Sequence, residues 1–164
     1  MLLEDALRAL PLLQQYDGPV IDVGSGGGSP GIPLALSLPE REVTLLDAEH
    51  RKCDFLRRWA PRNAEVVWGR VEEQPLERWG VAVAKALAPP PVAAEWCLPL
   101  VRPGGAVVLW VGPTAQAGRI QRVAELLAAE VEPAPDGFAV LRKTGATPEG
   151  FPRRPGMARK RPLA

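Results

Sequence analysis

The sequence predicts an α/β fold, a mostly parallel sheet with helices on both faces, in a single domain spanning residues 1–164. Three observations carry this expectation. Val20-Ile-Asp-Val-Gly24 is an apolar run entering the glycine-rich stretch Ser25 to Gly31, the pattern of a buried strand that turns into a helix. Val43-Thr-Leu-Leu-Asp47 repeats the apolar run and ends in an acid. Beyond it, strand-like and helix-like segments alternate without an internal repeat, as in sheets whose parallel strands are joined by crossover helices.

Taken in order, Leu2, Leu3, Ala6, Leu7, Leu10 and Leu13 recur at helical spacing and predict a short amphipathic helix over residues 1–16. Gly18-Pro19 ends that lead-in. The first strand and the glycine loop follow, then a helix from about Gly31 to Leu38, closed by Pro39. Val43 to Asp47 is the second strand. Glu49 to Ala60 reads as a helix with Phe55, Leu56 and Trp59 on one face, stopped before Pro61. Glu65 to Trp68 and Val81 to Ala84 are the third and fourth strands. Pro89-Pro90-Pro91 opens a helix reaching Leu100, because proline is tolerated in a first turn. Arg102-Pro-Gly-Gly105 predicts a tight turn into a fifth strand, Ala106 to Val111. Ile120 to Ala129 is helical, Phe138 to Arg142 is a last strand, and Val131 marks a short one before it. From Thr144 to Ala164 the composition turns to Pro, Gly and Arg, which predicts an extended basic tail. Trp59, Trp68, Trp79 and Trp96 are read as packing residues.

Composition narrows the chemistry. No run of about 18 apolar residues and no signal-like start occur, so a soluble cytoplasmic protein without a membrane partner is expected. Cys53 and Cys97 are too few for a disulfide framework and lie outside metal-ligand spacing; with His50 the only histidine, no metal site is expected. Net charge is +1, yet the segment from Arg142 to Ala164 carries +6 and the rest −5. A basic end on an acidic body predicts an anion-binding surface, with Arg153, Arg154, Lys160 and Arg161 as the candidate phosphate contacts.

The glycine loop points to a ligand carrying a ribose. Gly24 and Gly26 allow close backbone approach, and Asp47 stands about where a carboxylate meets ribose hydroxyls. Gly26-x-Gly28-x-x-Gly31 also fits a dinucleotide pattern, so NAD and S-adenosylmethionine are both readings, beside an empty structural turn. Two details favour S-adenosylmethionine. Asp22 would repel a pyrophosphate but attract a sulfonium and an amino group, and, buried in an apolar strand, it needs partners such as loop N–H groups or the ligand. Pro30 and Pro33 remove donors from the early helix and weaken a phosphate site there.

At these residues the chain resembles a family. Asp22-x-Gly-Ser-Gly-x-Gly-x-Pro-Gly31-Ile-Pro-Leu-Ala35, Val-Thr-Leu-Leu-Asp47, Lys52, Phe55-Leu56, Gly69-Arg70-x-Glu72, Ala84-Lys85-Ala86 and Pro103-Gly-Gly105 are similar to the small-subunit (16S) rRNA guanine-N7 methyltransferases, once called glucose-inhibited division protein B. The ending Phe151-Pro-Arg-Arg154-x-Gly156 with Lys160-Arg-Pro-Leu163 extends the likeness to roughly Pro19–Leu163. The resemblance implies a Rossmann-like S-adenosylmethionine-dependent methyltransferase fold. It implies that Gly24, Gly26 and Ser29 flank the methionine part of the cofactor, and Asp22 is expected to bind the cofactor with them. Asp47, Ala48 and Glu49 would then meet the ribose and adenine edge, and Val71 and Glu72 would frame the adenine. Lys85, where the family usually has Arg, would stand beside the methyl-transfer site as the catalytic candidate. Ribosomal RNA or the small ribosomal subunit is the implied partner, for a chain expected to act as a monomer.

Three departures accompany the likeness: about one helix before the glycine loop where relatives carry more, Lys85 for Arg, and Trp110-Val111-Gly112 where a Lys-Gly pair is usual. They keep open a catalytically weak or idle relative that only binds cofactor or RNA; an NAD-dependent oxidoreductase is a further alternative. The chemistry expected of the enzyme is undemanding, since guanine N7 has an exposed lone pair and needs no general base, only positioning. Ala86-Leu-Ala-Pro-Pro90 lacks the Asn or Asp that methyltransferases acting on exocyclic amines place there, and neither cysteine follows a proline as a cytosine-C5 nucleophile would.

Overall fold

The computed structural model describes residues 2–113 and 115–164. Met1, where the predicted first helix and domain begin, lies outside the described residues. Among the described residues seven strands form one sheet: β1 (Val20–Val23), β2 (Val43–Asp47), β3 (Ala64–Trp68), β4 (Trp79–Ala84), β5 (Val101–Trp110), β6 (Ala129–Glu132) and β7 (Phe138–Lys143), in the order β3-β2-β1-β4-β5-β7-β6. Strands β1 to β5 pair in parallel, and β7 runs antiparallel between β5 and β6. The mostly parallel sheet is therefore as predicted. β1, β2 and β4 are buried at every position, because helices cover both faces and leave no solvent side for a polar alternation.

The helices are α1 (Leu2–Leu7), α2 (Leu10–Leu13), α3 (Gly31–Ser37), α4 (His50–Trp59), α5 (Pro90–Cys97), α6 (Ala117–Leu126) and α7 (Met157–Lys160). One core joins Leu12 and Leu13 of α2, Leu34 and Ala35 of α3 and Leu56 of α4 to one face of the sheet. The other joins Val92, Trp96 and Cys97 of α5, Ile120 and Val123 of α6 and Ala158 of α7 to the opposite face. Chain order reverses between β1 and β4, and at such a switch the carboxyl ends of open parallel sheets leave a crevice for a ligand.

Four expectations change. The N-terminal helix is two short ones, α1 and α2, since Pro11 lacks an N–H and its ring would collide with the Leu7 carbonyl, so the helix breaks and restarts with the proline in its first turn. Arg102 to Gly105 is not a turn ahead of β5 but an excursion within it: Trp79 pairs with Val101 and Val81 with Ala106, the residues between bulging out. The aromatic residues expected to pack divide. Trp59 and Trp68 are 63% and 58% exposed, whereas Trp79 and Trp96 are packed as expected. Leu56 and Cys53 are the buried residues of α4; Phe55 points outward with Trp59.

The fourth change is the tail. It is not extended but folds back across α5. Arg153 donates two hydrogen bonds to the Glu95 carboxylate, 2.8 Å from Nε and 2.6 Å from Nη2, and Ala158 is buried. Phe151, Leu163 and Ala164 pack against the core. The apolar side chains scattered among the basic residues give the segment something to bury, and a carboxylate 4% exposed on α5 gives the guanidinium a partner.

Candidate functional site

A cavity of about 360 Å³ opens at the carboxyl ends of β1, β2 and β3, between Gly24, Asp47, Ala48, Glu49, Val71 and Glu72 on one side and Ala86, Leu87 and Trp96 on the other. Gly24 takes φ of 75°, and a Cβ there would stand 2.6 Å from Leu87 Cδ1, so a side chain would both strain the backbone and fill the space between the two walls. Gly31 is equally confined: its Cβ would fall 2.5 Å from Asp22 Oδ2, and its N–H donates to that oxygen at 3.0 Å. Ala86, two residues after the end of β4, adopts φ of 53°, a conformation costing a residue with a Cβ about 1 kcal/mol; the turn starts the segment whose Leu87 forms the far wall.

Asp47 ties the site together. Its Oδ2 accepts from the Gly26 N–H and its Oδ1 from the Glu49 N–H, both at 2.9 Å. The glycine loop is thereby fastened to the end of β2, and each carboxylate oxygen keeps a lone pair for a ligand hydroxyl. Glu49 stands exposed at the same rim, 3.3 Å from Lys52 Nζ. Glu72 accepts from the Gly156 N–H at 2.8 Å, so one oxygen of the predicted adenine acceptor is already engaged by the C-terminal segment.

Six of the residues expected to hold the cofactor are thus brought to one cavity: Gly24, Asp47, Ala48, Glu49, Val71 and Glu72. Asp22, Gly26, Ser29 and Lys85 do not line it. Asp22 is 1% exposed beneath the loop; besides Gly31, the Ser25 hydroxyl donates to its backbone carbonyl at 3.0 Å. Its Oδ1 has no partner among the described residues, and burial pushes the carboxyl up to about 7. The expectation of a loop N–H partner for Asp22 is met by Gly31, and the side chain lies beneath the loop, outside the cavity lining. Gly26 is turned toward Asp47, and Ser29 Oγ is buried without a partner among the described residues.

Lys85 is the larger correction. Its Nζ lies 2.5 Å from Asp5 Oδ2 on α1, so the ammonium is held by the N-terminal helix instead of the cavity wall. The pair holds the Asp5 carboxyl below the usual carboxylate range. Trp110 is fixed at the same place, donating to the Asp5 carbonyl at 3.3 Å and meeting Phe138 edge-on at 5.1 Å. Of the expected phosphate contacts, Arg153 is engaged by Glu95, while Arg154, Lys160 and Arg161 remain exposed.

Sequence reasoning missed Leu87, Trp96 and Arg159. Arg159 lines the cavity, donates to the Leu87 carbonyl at 3.1 Å and stacks 5.3 Å over Trp96. The return of the tail that brings it there has no local signature beyond the few apolar residues in a basic stretch. Among the described residues no cluster of three or more His, Cys, Asp or Glu is placed to hold a metal ion, and no helix is long and apolar enough to cross a membrane.

Comparisons with known proteins agree with this geometry. The profile of a family described as rRNA small subunit methyltransferase G matches residues 1–134. A protein of that name from Pelotomaculum thermopropionicum is 35% identical over 97% of this chain and 76% of its own length; one from Rubrobacter xylanophilus is 38% identical over 89% of this chain and 65% of its own. Among solved structures, a TehB-like SAM-dependent methyltransferase from Corynebacterium glutamicum superposes with a TM-score of 0.65 at 20% identity, covering 85% of this chain and 87% of that one. The M. jannaschii TYW2 structure with AdoMet reaches 0.66 at 14% identity, covering 85% and 72%. These structural likenesses establish the Rossmann-like methyltransferase fold, and the sequence matches go further: the chain belongs to the rRNA small subunit methyltransferase G family.

Proposed function

We propose that this chain transfers a methyl group from S-adenosylmethionine to guanine N7 of small-subunit ribosomal RNA. The observation that carries the reading is the cavity at the switch of the sheet in a chain of this family. The residues fit the cofactor. The volume lies in the range of pockets that enclose small ligands, roughly 300–1,000 Å³. Gly24 opens the floor, Asp47 and Glu49 offer carboxylate acceptors suited to ribose hydroxyls, and Val71, Leu87 and Trp96 supply apolar walls suited to a purine. When bound, S-adenosylmethionine supplies a methyl group on a cationic sulfur.

The chain's own part is binding and orientation. Asp47 holds the glycine loop at the end of β2, and Glu49 faces the ribose side. Glu72, already tied to the tail, fixes the C-terminal segment beside the adenine side. No proton has to be removed from the nucleophile, so the site works without a general base; the single histidine, His50, is engaged by Asp54 at 3.4 Å and by the edge of Trp68. Lys85, oriented by Asp5, acts as a positioning residue toward the RNA, and Arg154, Lys160 and Arg161 meet phosphate. A ribosomal substrate supports action in the cytoplasm.

Methyl transfer from labelled S-adenosylmethionine to small ribosomal subunits lacking the modification tests this reading, followed by chain cleavage selective for 7-methylguanine. Label at one guanine is the expected result. A protein that binds the cofactor yet transfers nothing would instead be a non-catalytic relative, a reading favoured by the engagement of Lys85 with Asp5.

A further inference from the structure

The aromatic side chains that stand most in solvent lie on α4 and beside its N-terminal end, where Trp68 meets His50 at 4.7 Å. Phe55 and Trp59 of α4 are 45% and 63% exposed, and Trp68, at the end of the edge strand β3, is 58% exposed. Single exposed apolar residues are ordinary, but these are organised. Arg51, Phe55, Arg58 and Trp59 fall at helical spacings of four, seven and eight, on the face of α4 opposite the buried Cys53 and Leu56. Arg62 follows just beyond the helix. The rings of Phe55 and Trp59 lie 6.5 Å apart at 47°, so they make one apolar platform bordered by guanidinium groups.

The cations on this face are not neutralised from within. Asp54, the acid within α4, is taken by His50 at 3.4 Å and Arg57 at 3.3 Å. Arg51, Arg58 and Arg62 are exposed, and no ion pair or hydrogen bond to an acid engages them among the described residues. Cations interleaved with flat ring faces match a nucleic-acid strand: guanidinium groups neutralise phosphates while rings stack on bases, which any base can satisfy. A protein interface also favours aromatic rings and arginine; what favours RNA here is that the guanidinium groups have no acid partner among the described residues, so each is available to a phosphate. The face also has the right position. α4 begins directly after Asp47, Ala48 and Glu49 at the cavity rim and, at 1.5 Å per residue, places Phe55 and Trp59 about 9 and about 15 Å along its axis from Glu49.

We propose that the outward face of α4, with Trp68 at its head, is a docking surface for a single-stranded or looped segment of the substrate ribosomal RNA outside the cavity. The proposal rests on the ribosomal RNA reading above. It is tested with two double variants, Phe55→Ala/Trp59→Ala and Arg58→Glu/Arg62→Glu, all at exposed positions. Binding is read by fluorescence anisotropy with protein-free small-subunit rRNA and with a labelled single-stranded oligoribonucleotide. Circular dichroism and titration of S-adenosylhomocysteine verify that fold and cavity are unchanged.

The aromatic variant is expected to bind RNA at least tenfold more weakly with its salt dependence retained. The arginine variant is expected to flatten the log–log salt slope by about 0.7 for each phosphate that is no longer neutralised. Equal affinity of wild type and variants for the RNA, whether high or undetectable, overturns the proposal. A loss seen only on assembled subunits, with naked rRNA bound equally by all forms, also overturns it and identifies a protein contact instead. If the wild type methylates subunits while both variants behave like it, the docking surface fails and the functional reading stands; if the wild type neither binds rRNA nor methylates subunits, both fail.

Discussion

Replacing Arg153 by alanine removes the guanidinium that faces Glu95 and leaves a carboxylate only 4% exposed on α5 with no opposing charge. Two hydrogen bonds disappear, at 2.8 and 2.6 Å, together with a third from Arg153 to the Arg161 carbonyl at 2.8 Å. Stripping one partner from a buried ion pair costs about 3–5 kcal/mol; Arg153 itself is 22% exposed, which lets water reach the pair and places the expectation near the lower end, about 3 kcal/mol. For a chain of this size that corresponds to a fall in melting temperature of about 6–12 °C. The same change should weaken S-adenosylhomocysteine binding several-fold. The Arg153–Glu95 clamp anchors the segment that brings Arg159 to the cavity and Gly156 to Glu72. Differential scanning calorimetry and isothermal titration measure the two effects. The neutral pair Glu95→Gln/Arg153→Met should recover most of the stability, because no buried charge is then left alone. A melting temperature for Arg153→Ala within about 2 °C of wild type would refute the reasoning and make Arg153 available to phosphate again.

Further outcomes follow from other groups. Asp22 has a folded value of about 7, above an unfolded value near 4, so its contribution to stability is greatest below pH 4, declines as pH rises between these values and is level above 7. Asp22→Asn should therefore melt with a flatter pH profile from 4 to 7 than wild type, and parallel profiles would disprove the assignment. Lys85→Ala should lower methyl transfer to small subunits while leaving cofactor affinity within a few-fold, since its ammonium meets Asp5 and not the cavity; equal rates in native and variant protein would remove Lys85 from the reaction. Lys143 is fully buried, donating to the Leu98 and Val101 carbonyls at 2.8 and 3.0 Å and to Thr147 Oγ1 at 2.8 Å. Lys143→Met should destabilise by about 2 kcal/mol in denaturant titrations, the orphaned acceptors outweighing the relief of a buried ammonium, and an unchanged midpoint would contradict that.

Local sequence was enough to specify the sheet and the side of it that carries the cavity. β1, β2 and β4 are continuous apolar runs because both their faces are covered, and the glycines and Asp47 sit at their ends, so local pattern and site coincide. Gly24 and Asp47 were legible for that reason, each at a strand end; Ala48, Glu49, Val71 and Glu72, which line the same cavity, came from the family resemblance of the motifs around them. The fates of Lys85, Arg153 and Arg159 depended on the folded chain. A lysine beside a strand end reads alike whether or not an acid some eighty residues earlier in the chain meets it, and only the fold brings Asp5 to Lys85. A basic tail reads as solvated until a buried Glu95 offers its guanidinium a partner. The orientation of α4 was likewise beyond local pattern. Phe55, Leu56 and Trp59 share a helical arc broad enough to point either way, and it is the packing of Cys53 and Leu56 that turns the aromatic pair outward. Side-chain identity and spacing act over one or two turns, whereas charge pairing and burial are fixed by residues far apart in the chain; the first is written locally and the second exists only once the chain has folded.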